Sequence, residues 1–230
     1  MLLYLFLAFI IFEILLAVFL ILFYIEVGIT FFRKTAPELP SGQKLRDAVI
    51  AEIRSRYPDA GTAVDIGSGW GGMARRMARE FPKMQVTGIE LMPLSFACSW
   101  LARLFFGPRN CRLVRGDVVR YLSKRHNNAH PGRCAATPPA EGNSVCPAGS
   151  DNSPPQEGCP RRGRGGLLFD IAVCYSGVQL MKAIAPLADR FGVLISLDFP
   201  LPNTKATRTI KLHKDKLGQH MLYVYEGNKA

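Results

Sequence analysis

The 230-residue chain has a formal net charge of +11 and is 48% hydrophobic, which suits one ordinary domain with an appendage. No run of lysine and arginine is interleaved with aromatic residues, so a nucleic-acid partner is not expected. The six cysteines form no C-x-x-C pair and fit no zinc module, which favours free thiols in a reducing compartment and gives no metal site.

The N-terminal residues 1–32 are apolar apart from Glu13, Glu26, two tyrosines and small residues. About 20 to 25 helical residues cross a bilayer core of about 30 Å, so this segment predicts a transmembrane anchor that contacts lipid. Arg33 and Lys34 follow it, and the positive-inside rule then predicts a single-pass membrane protein with its catalytic domain in the cytoplasm. A cleaved signal peptide is the alternative, but a basic n-region and an A-x-A site are missing.

The segment after the anchor predicts a linker and then a domain of alternating elements. Residues 33–42 contain two prolines and predict a short linker, which leaves 43–230 as the domain. Hydrophobic periodicity in its first part predicts, in order, a helix at 43–57, a strand at 62–66, a helix at 73–81, a strand at 85–90, a helix at 94–106, a strand at 111–115 and a helix ending near 123.

The second part of the domain follows a segment of different character. Residues 124–166 are rich in Pro, Gly, Ala, Asn, Ser and Arg, which predicts a disordered insertion. Beyond it the sequence predicts a strand at 167–175, a helix at 179–191 around Pro186, a strand at 192–197, and two strands at 207–212 and 221–225 joined by a turn near Gly218.

Strands that alternate with helices predict an α/β fold. We expect a Rossmann-like, seven-stranded and mostly parallel sheet with helices on both faces, preceded by one transmembrane helix. The last two strands have no helix between them, which predicts an antiparallel hairpin at one edge of the sheet.

A glycine-rich turn follows the first strand, and its glycines alone are ambiguous. Gly67, Gly69 and Gly72 satisfy the G-x-G-x-x-G dinucleotide pattern, while Gly67, Gly69 and Gly71 satisfy G-x-G-x-G. In both cases glycine lets a ligand approach the backbone at a helix N-terminus, and Glu90 at the end of the next strand can hold ribose hydroxyls. An NAD(P)-dependent oxidoreductase or epimerase therefore remains an alternative at this point.

Asp65 favours one of the two ligands. It lies two residues before the first glycine, where a strand end meets the ligand. A carboxylate there would repel the pyrophosphate of a dinucleotide, whereas it would attract the ammonium and sulfonium of S-adenosylmethionine. The alternative interpretation of Asp65 is a residue that caps the following turn.

These residues resemble the class I S-adenosylmethionine-dependent methyltransferases. Residues 65–71, DIGSGWG, match the first motif, and Asp117 after Gly116 matches the acid that meets the adenine amino group. The resemblance implies that the cofactor is bound by Asp65, Gly67, Ser68, Gly69, Trp70, Gly71, Glu90, Leu91 and Asp117. It also places Tyr175, at the end of the predicted fourth strand, opposite the transferred methyl group as the catalytic candidate; a half-buried structural tyrosine is the alternative.

A second, weaker resemblance concerns the methyl acceptor. Residues 90–93 (ELMP), residues 199–202 (FPLP) and the apolar N-terminus are similar to the membrane-anchored lysine methyltransferases that modify the ATP synthase c-subunit. Trp70 stands where that family commonly has an acid, and the long insertion is unlike it. The resemblance implies a membrane-protein or lipid-associated acceptor, such as a protein lysine.

The residues around the substrate position bear on which class of methyl acceptor is expected. Residues 174–177 (CYSG) lack the Asn/Asp-Pro-Pro-Tyr/Phe pattern of enzymes that methylate exocyclic amines of bases, which disfavours DNA methylation. Asp198 after the fifth strand is expected either to line the substrate mouth or to be a solvated turn acid. A membrane-tethered cofactor-binding module without catalysis remains a further alternative.

Overall fold

The structure, a computed structural model, describes residues 1–32, 42–128, 167–215 and 218–227. The predicted linker at 33–42, apart from Gly42, and most of the predicted insertion lie outside the described residues. So do Arg33 and Lys34, on which the expected membrane topology depends.

Helices and strands alternate as the sequence predicts. The helices are α1 (Leu2–Phe32), α2 (Gln43–Arg56), α3 (Gly72–Glu80), α4 (Pro93–Phe106), α5 (Val118–Asn128) and α6 (Val178–Ile184). The strands are β1 (Thr62–Ile66), β2 (Gln85–Glu90), β3 (Cys111–Arg115), β4 (Phe169–Cys174), β5 (Phe191–Leu197), β6 (Arg208–Asp215) and β7 (Gly218–Glu226).

One seven-stranded sheet contains all of these strands, in the order β3-β2-β1-β4-β5-β7-β6. The pairings from β3 through β5 are parallel, whereas β7 is antiparallel to both β5 and β6. The predicted fold class, including its antiparallel edge hairpin, is therefore confirmed.

Helices cover both faces of the sheet, which explains why its central strands are almost wholly apolar. One buried cluster joins α2 and α3 to the sheet and contains Val49, Ile53, Met73, Met77, Val86 and Ile195 among others. The cluster on the opposite face joins α5 and α6 to it and contains Ile66, Ile89, Leu122, Met181, Ile184 and Leu194 among others.

Some predicted elements differ from the structure. The single helix expected at 179–191 is wrong: α6 ends at Ile184, and Ala185–Arg190 forms a 3₁₀ helix. Pro186 lacks an amide hydrogen, so it cannot continue the α-helical hydrogen-bond pattern. Helix α5 continues to Asn128, beyond the predicted end near 123. The last two strands are longer than the predicted 207–212 and 221–225, and they pair as far as Asp215 and Gly218, which agrees with the turn expected near Gly218.

The N-terminal helix contains the one described segment that is long and apolar enough to cross a membrane, the 28 residues Leu2–Ile29. Most of its large apolar side chains are exposed in the structure, whereas Glu26 is buried. This length and composition agree with the expected anchor.

The strand order determines where a ligand can bind. Strand β1 pairs with β2 on one side and with β4 on the other, and Ile66 lies opposite both Ile89 and Cys174. In open parallel sheets, ligands bind beyond the carboxyl ends of the strands at the point where the strand order reverses. The residues after Ile66, Ile89 and Cys174 therefore meet at one edge of the sheet.

Candidate functional site

The glycine turn, residues 67–72, is built around left-handed backbone. Gly67, Gly69 and Gly71 have φ angles of 70°, 51° and 70°, which residues other than glycine rarely adopt. A Cβ on Gly71 would also lie 2.1 Å from Ser99 Oγ, whereas a Cβ on Gly69 would meet nothing within 4 Å. Gly71 is thus required for packing, and the open space at Gly69 lets a ligand approach the backbone.

Asp65 lies beneath the glycine turn and is only 4% exposed. Its Oδ2 accepts a hydrogen bond of 3.0 Å from the Ala74 amide in the first turn of α3. Burial raises the pKa of this carboxyl to about 7; the Ala74 bond opposes the rise, and the charge of Glu90 adds to it. The capping role proposed as an alternative for Asp65 is therefore observed, and a cationic ligand group would favour its ionised form.

Glu90 connects the glycine turn to the start of α4. Its Oε2 accepts a 2.6 Å hydrogen bond from the Gly69 amide, and its Oε1 accepts one of 2.8 Å from the Met92 amide. Burial raises the pKa of Glu90, while hydrogen bonds from the Met92, Gly69 and Leu91 amides lower it. Because an ionised carboxylate has about four acceptor positions, these three bonds leave about one position for a ribose hydroxyl.

The other predicted cofactor ligands differ in exposure. Asp117 is exposed, and its Oδ1 accepts a 2.8 Å hydrogen bond from the Arg120 amide, so it caps the N-terminus of α5. The side chains of Trp70 and Leu91 are 46% and 41% exposed, which leaves apolar surface available on either side of the turn. The Ser68 amide donates to the Ile89 carbonyl at 2.9 Å and so fixes the turn against β2.

Tyr175, the catalytic candidate, follows β4 and is partly buried against the cluster that joins α2 and α3 to the sheet. Its position at the edge where the strand ends meet agrees with the sequence analysis. The packing supports the structural interpretation equally, so its role in chemistry stays a prediction.

Asp198 is neither a solvated turn acid nor simply a residue of the substrate mouth. Its φ of 62° is left-handed, and its Oδ2 lies 2.7 Å from Nδ1 of His220, a buried histidine on β7. Its Oδ1 also accepts a hydrogen bond of 2.9 Å from the Met221 amide. Sequence reasoning missed His220, because only the antiparallel pairing of β5 with β7 brings it to Asp198.

The residues around the turn fit a nucleoside ligand that carries a cationic group. Within the described ranges, the buried Ser68 hydroxyl has no hydrogen-bond partner, and its Oγ packs against Gly88 of β2. Glu90 offers an acceptor to a ribose hydroxyl, and Asp65 offers a carboxylate to a cation. The part of the chain that the structure describes contains no group of three or more His, Cys, Asp and Glu residues that could hold a metal ion.

Solved structures share the fold, although the sequence matches no protein-family model and no curated protein. The chain resembles an RNA methyltransferase from Salinibacter ruber in complex with S-adenosyl-L-homocysteine, with a TM-score of 0.53 and 14% identity over 84% of this chain and 95% of that one. It also resembles a precorrin-6y C5,15-methyltransferase from Geobacter metallireducens, with a TM-score of 0.52 and 14% identity over 84% of this chain and 92% of that one. The chain has the Rossmann-like fold of these methyltransferases.

Proposed function

We propose that the protein is an S-adenosylmethionine-dependent methyltransferase, tethered to a membrane by α1, that methylates a nucleophile at or near the bilayer. The observation that carries the proposal is the pair of buried acids Asp65 and Glu90, which lie on neighbouring strands on either side of the glycine turn. One acid suits the cationic methionine part of the cofactor, and the other suits its ribose.

The hydrogen bonds of the turn support this assignment. Glu90 holds the Gly69 amide, so the acid that receives the ribose also fixes the glycine over which the cofactor lies. Asp65 holds the Ala74 amide and so orients the N-terminus of α3 toward the same place. The S-adenosyl-L-homocysteine bound by the Salinibacter ruber enzyme of similar fold supports the same cofactor here.

The chain contributes to the reaction by positioning the nucleophile and the cofactor. S-adenosylmethionine, when bound, supplies a methyl group on a sulfonium; a nucleophile forms a bond to that carbon as the sulfur–carbon bond breaks. The chain must hold the nucleophile in line and keep water away from the reacting atoms. Trp70 and Leu91 supply exposed apolar surface beside the turn for that purpose. Tyr175 is assigned to orient the nucleophile or to receive its proton.

The proposed acceptor is a membrane-associated group, with the side chain of a protein lysine as the first choice. The tether keeps the catalytic domain close to membrane proteins and lipids, and the resemblance to c-subunit lysine methyltransferases points in the same direction. A lysine must lose its proton before it can attack, since only the neutral amine carries a free electron pair. The lipid headgroup is the competing acceptor.

Binding experiments test the cofactor. The full chain in lipid nanodiscs is titrated with S-adenosylmethionine and, separately, with NAD, and the heat of binding is measured. We expect saturable binding of S-adenosylmethionine and none of NAD. Affinity for NAD without affinity for S-adenosylmethionine would overturn the proposal in favour of an oxidoreductase.

A transfer experiment tests the acceptor. The full chain is incubated with native membranes and S-adenosylmethionine labelled with tritium in the methyl group, and protein is then separated from lipid. We expect label in a membrane protein, at lysine after digestion. Label only in lipid would replace the acceptor but keep the reaction, whereas binding of the cofactor without transfer to either fraction would indicate a non-catalytic module.

A further inference from the structure

Helix α4 presents its apolar side outward. Its two buried side chains are the small and polar Ser95 and Ser99. The large apolar residues of its C-terminal half are 48% to 75% exposed and form what we call the α4 face: Trp100, Leu101, Leu104, Phe105 and Phe106. Trp100, Leu101, Leu104 and Phe105 share one side of the helix at i, i+4 spacing, and Phe106 lies at its C-terminal end. Exposed apolar residues of this size and number indicate contact with something other than water.

The anchor helix contacts this same helix. Glu26 of α1 is 7% exposed, and its Oε1 accepts a 3.4 Å hydrogen bond from the Ser95 amide in the first turn of α4. Glu26 lies close to the C-terminal end of the apolar segment Leu2–Ile29, about 4.5 Å from it at the helical rise. If α1 spans a bilayer, α4 therefore begins at the depth of the lipid headgroups.

The length of α4 agrees with a position along the membrane surface. Its 14 residues extend about 21 Å, which is too short to cross a hydrocarbon core of about 30 Å. Helices that lie in the interface combine an apolar face with a cationic border. Helix α4 thus has an interfacial length, and its first turn contacts the anchor helix.

Arginines border the α4 face. Arg79 of α3 donates to the Phe106 carbonyl at 2.7 Å, and Arg75 lies beside the Ser99 carbonyl. Together with Arg46 and Arg76 they line one pocket, which also contains Asp47. Three further exposed arginines lie on or before the edge strand β3, which contacts α4: Arg109, Arg112 and Arg115.

We propose that the α4 face inserts into the interfacial region of a bilayer that contains anionic lipid. The bordering arginines then contact lipid phosphates. This second membrane contact goes beyond methyl transfer and does not depend on it. The contact fixes the orientation of the cofactor site relative to the bilayer. Glu90 of that site accepts a hydrogen bond from the Met92 amide, immediately before α4, so α4 and the site move together. A second copy of the chain fits less well, since like-charged arginines would meet across such an interface.

Tryptophan fluorescence tests the contact in the full chain. The sequence contains two tryptophans, so Trp70→Phe leaves Trp100 as the single reporter. The variant is reconstituted into vesicles of phosphatidylcholine and phosphatidylglycerol with brominated acyl chains. We expect a blue-shifted Trp100 emission that loses most of its intensity to bromine near the headgroups and less to bromine deep in the core. Trp100→Phe reports on Trp70 in the same vesicles and is expected to lose less.

The possible results separate this contact from the tether. If the chain floats with the vesicles but the Trp100 emission resembles that in water, the α4 contact is overturned and the tether and the proposed reaction stand. A blue shift without bromine quenching means that protein covers the face, which also overturns it. Failure to float would overturn both the tether and this contact.

Matched variants test the face itself in the Trp70→Phe background. Phe105→Gln with Phe106→Gln should reduce the bromine quenching of Trp100 and increase its accessibility to aqueous iodide. Val178→Gln changes a similarly exposed apolar residue at the start of α6 and should do neither. Quenching that is unchanged by the double substitution would overturn the proposal, and so would equal quenching in vesicles without anionic lipid.

Discussion

Helices α3 and α4 begin in similar ways, but their apolar sides face different environments. Each follows a parallel strand, and in each an acid from another element accepts a hydrogen bond from an amide of the first turn. Asp65 of β1 binds the Ala74 amide of α3, whereas Glu26 of α1 binds the Ser95 amide of α4. One helix is thus capped from within the sheet, and the other from the anchor.

The two helices bury different kinds of residue. Helix α3 buries Met73, Ala74, Met77 and Ala78, leaves Arg75 and Arg76 half-buried and exposes Arg79, so its apolar side faces the core. Helix α4 buries two serines and exposes its largest apolar side chains. The difference shows that apolar periodicity identifies a helix but does not identify the medium that its apolar side faces.

The largest effect is expected from removing the acid that caps α3. Asp65→Ala should weaken binding of S-adenosylmethionine by about 1 to 3 kcal/mol, the size of a charge-assisted hydrogen bond. Calorimetry on the full chain in nanodiscs measures this affinity. Asp59→Ala, at an exposed acid before β1, is the control and should leave it unchanged. Equal affinity in the Asp65 variant and the parent would mean that the cofactor lies elsewhere.

Glu90 connects the turn before α3 to the start of α4, and its charge is the next most important feature. Glu90→Gln keeps the shape of the side chain but loses the ionised acceptor of a ribose hydroxyl. We expect affinity for S-adenosylmethionine to fall by about 1 to 2 kcal/mol, or about 5- to 30-fold. A titration of the variant with adenosine alone should show a loss of similar size. Normal adenosine binding would contradict the assigned ribose contact.

The pKa of Asp65 predicts proton release on cofactor binding. Burial raises the folded-state pKa to about 7, so the folded protein binds this proton more tightly than the unfolded chain does. The stability that this proton contributes is present at low pH and is lost as the pH rises from about 4 to about 7. The raised pKa keeps part of the Asp65 carboxyls protonated near pH 7, and an adjacent ammonium would ionise them.

The measurement is calorimetry of S-adenosylmethionine binding at pH 7 in buffers of different ionisation enthalpy. We expect the parent chain to release more protons on binding than Asp65→Asn does. The side-chain amide of the variant cannot ionise. The difference in proton release between the two chains therefore excludes protons that come from other groups. Identical proton release in the two chains would show that Asp65 does not pair with the ammonium.

Helix α5 supplies a third kind of cap, because Asp117 belongs to the helix start that it caps. Asp117→Ala should lower the free energy of unfolding by about 1 kcal/mol through the loss of this N-cap. Denaturant unfolding measures the change, and Asp117→Asn, which retains an acceptor oxygen, should recover most of it. If Asp117→Ala weakened cofactor binding without changing stability, the adenine contact would outweigh the cap.

The sequence predicts what depends on neighbouring residues and misses what depends on distant ones. The glycine turn and the acids at the carboxyl ends of β1 and β2 are predicted correctly, because strand periodicity and the backbone freedom of glycine are local properties. The contact between Asp198 and His220 requires the sheet order, and the contact between Glu26 and Ser95 requires the packing of α1 on α4. From the sequence, Glu26 is only a charged residue within an apolar segment, and nothing near it in the chain indicates its contact with α4.

The smallest predicted effect tests the contact that distinguishes α4 from α3. Burial raises the pKa of the Cys98 thiol on α4, and the charge of Glu26 raises it further. Glu26→Gln should therefore lower this pKa, and at a fixed pH below it the rate of Cys98 alkylation should rise by less than about threefold. Quantitative mass spectrometry of the Cys98 peptide measures the rate in the reconstituted chain.

Glu13→Gln, on the same helix, is the matched control and should leave the rate unchanged. Because burial of Cys98 is the larger cause, its alkylation should remain slower than that of an exposed thiol even in the variant. If Glu26→Gln left the rate unaltered, α1 would not contact α4 through Glu26, and the anchor would be connected to the domain by the chain alone.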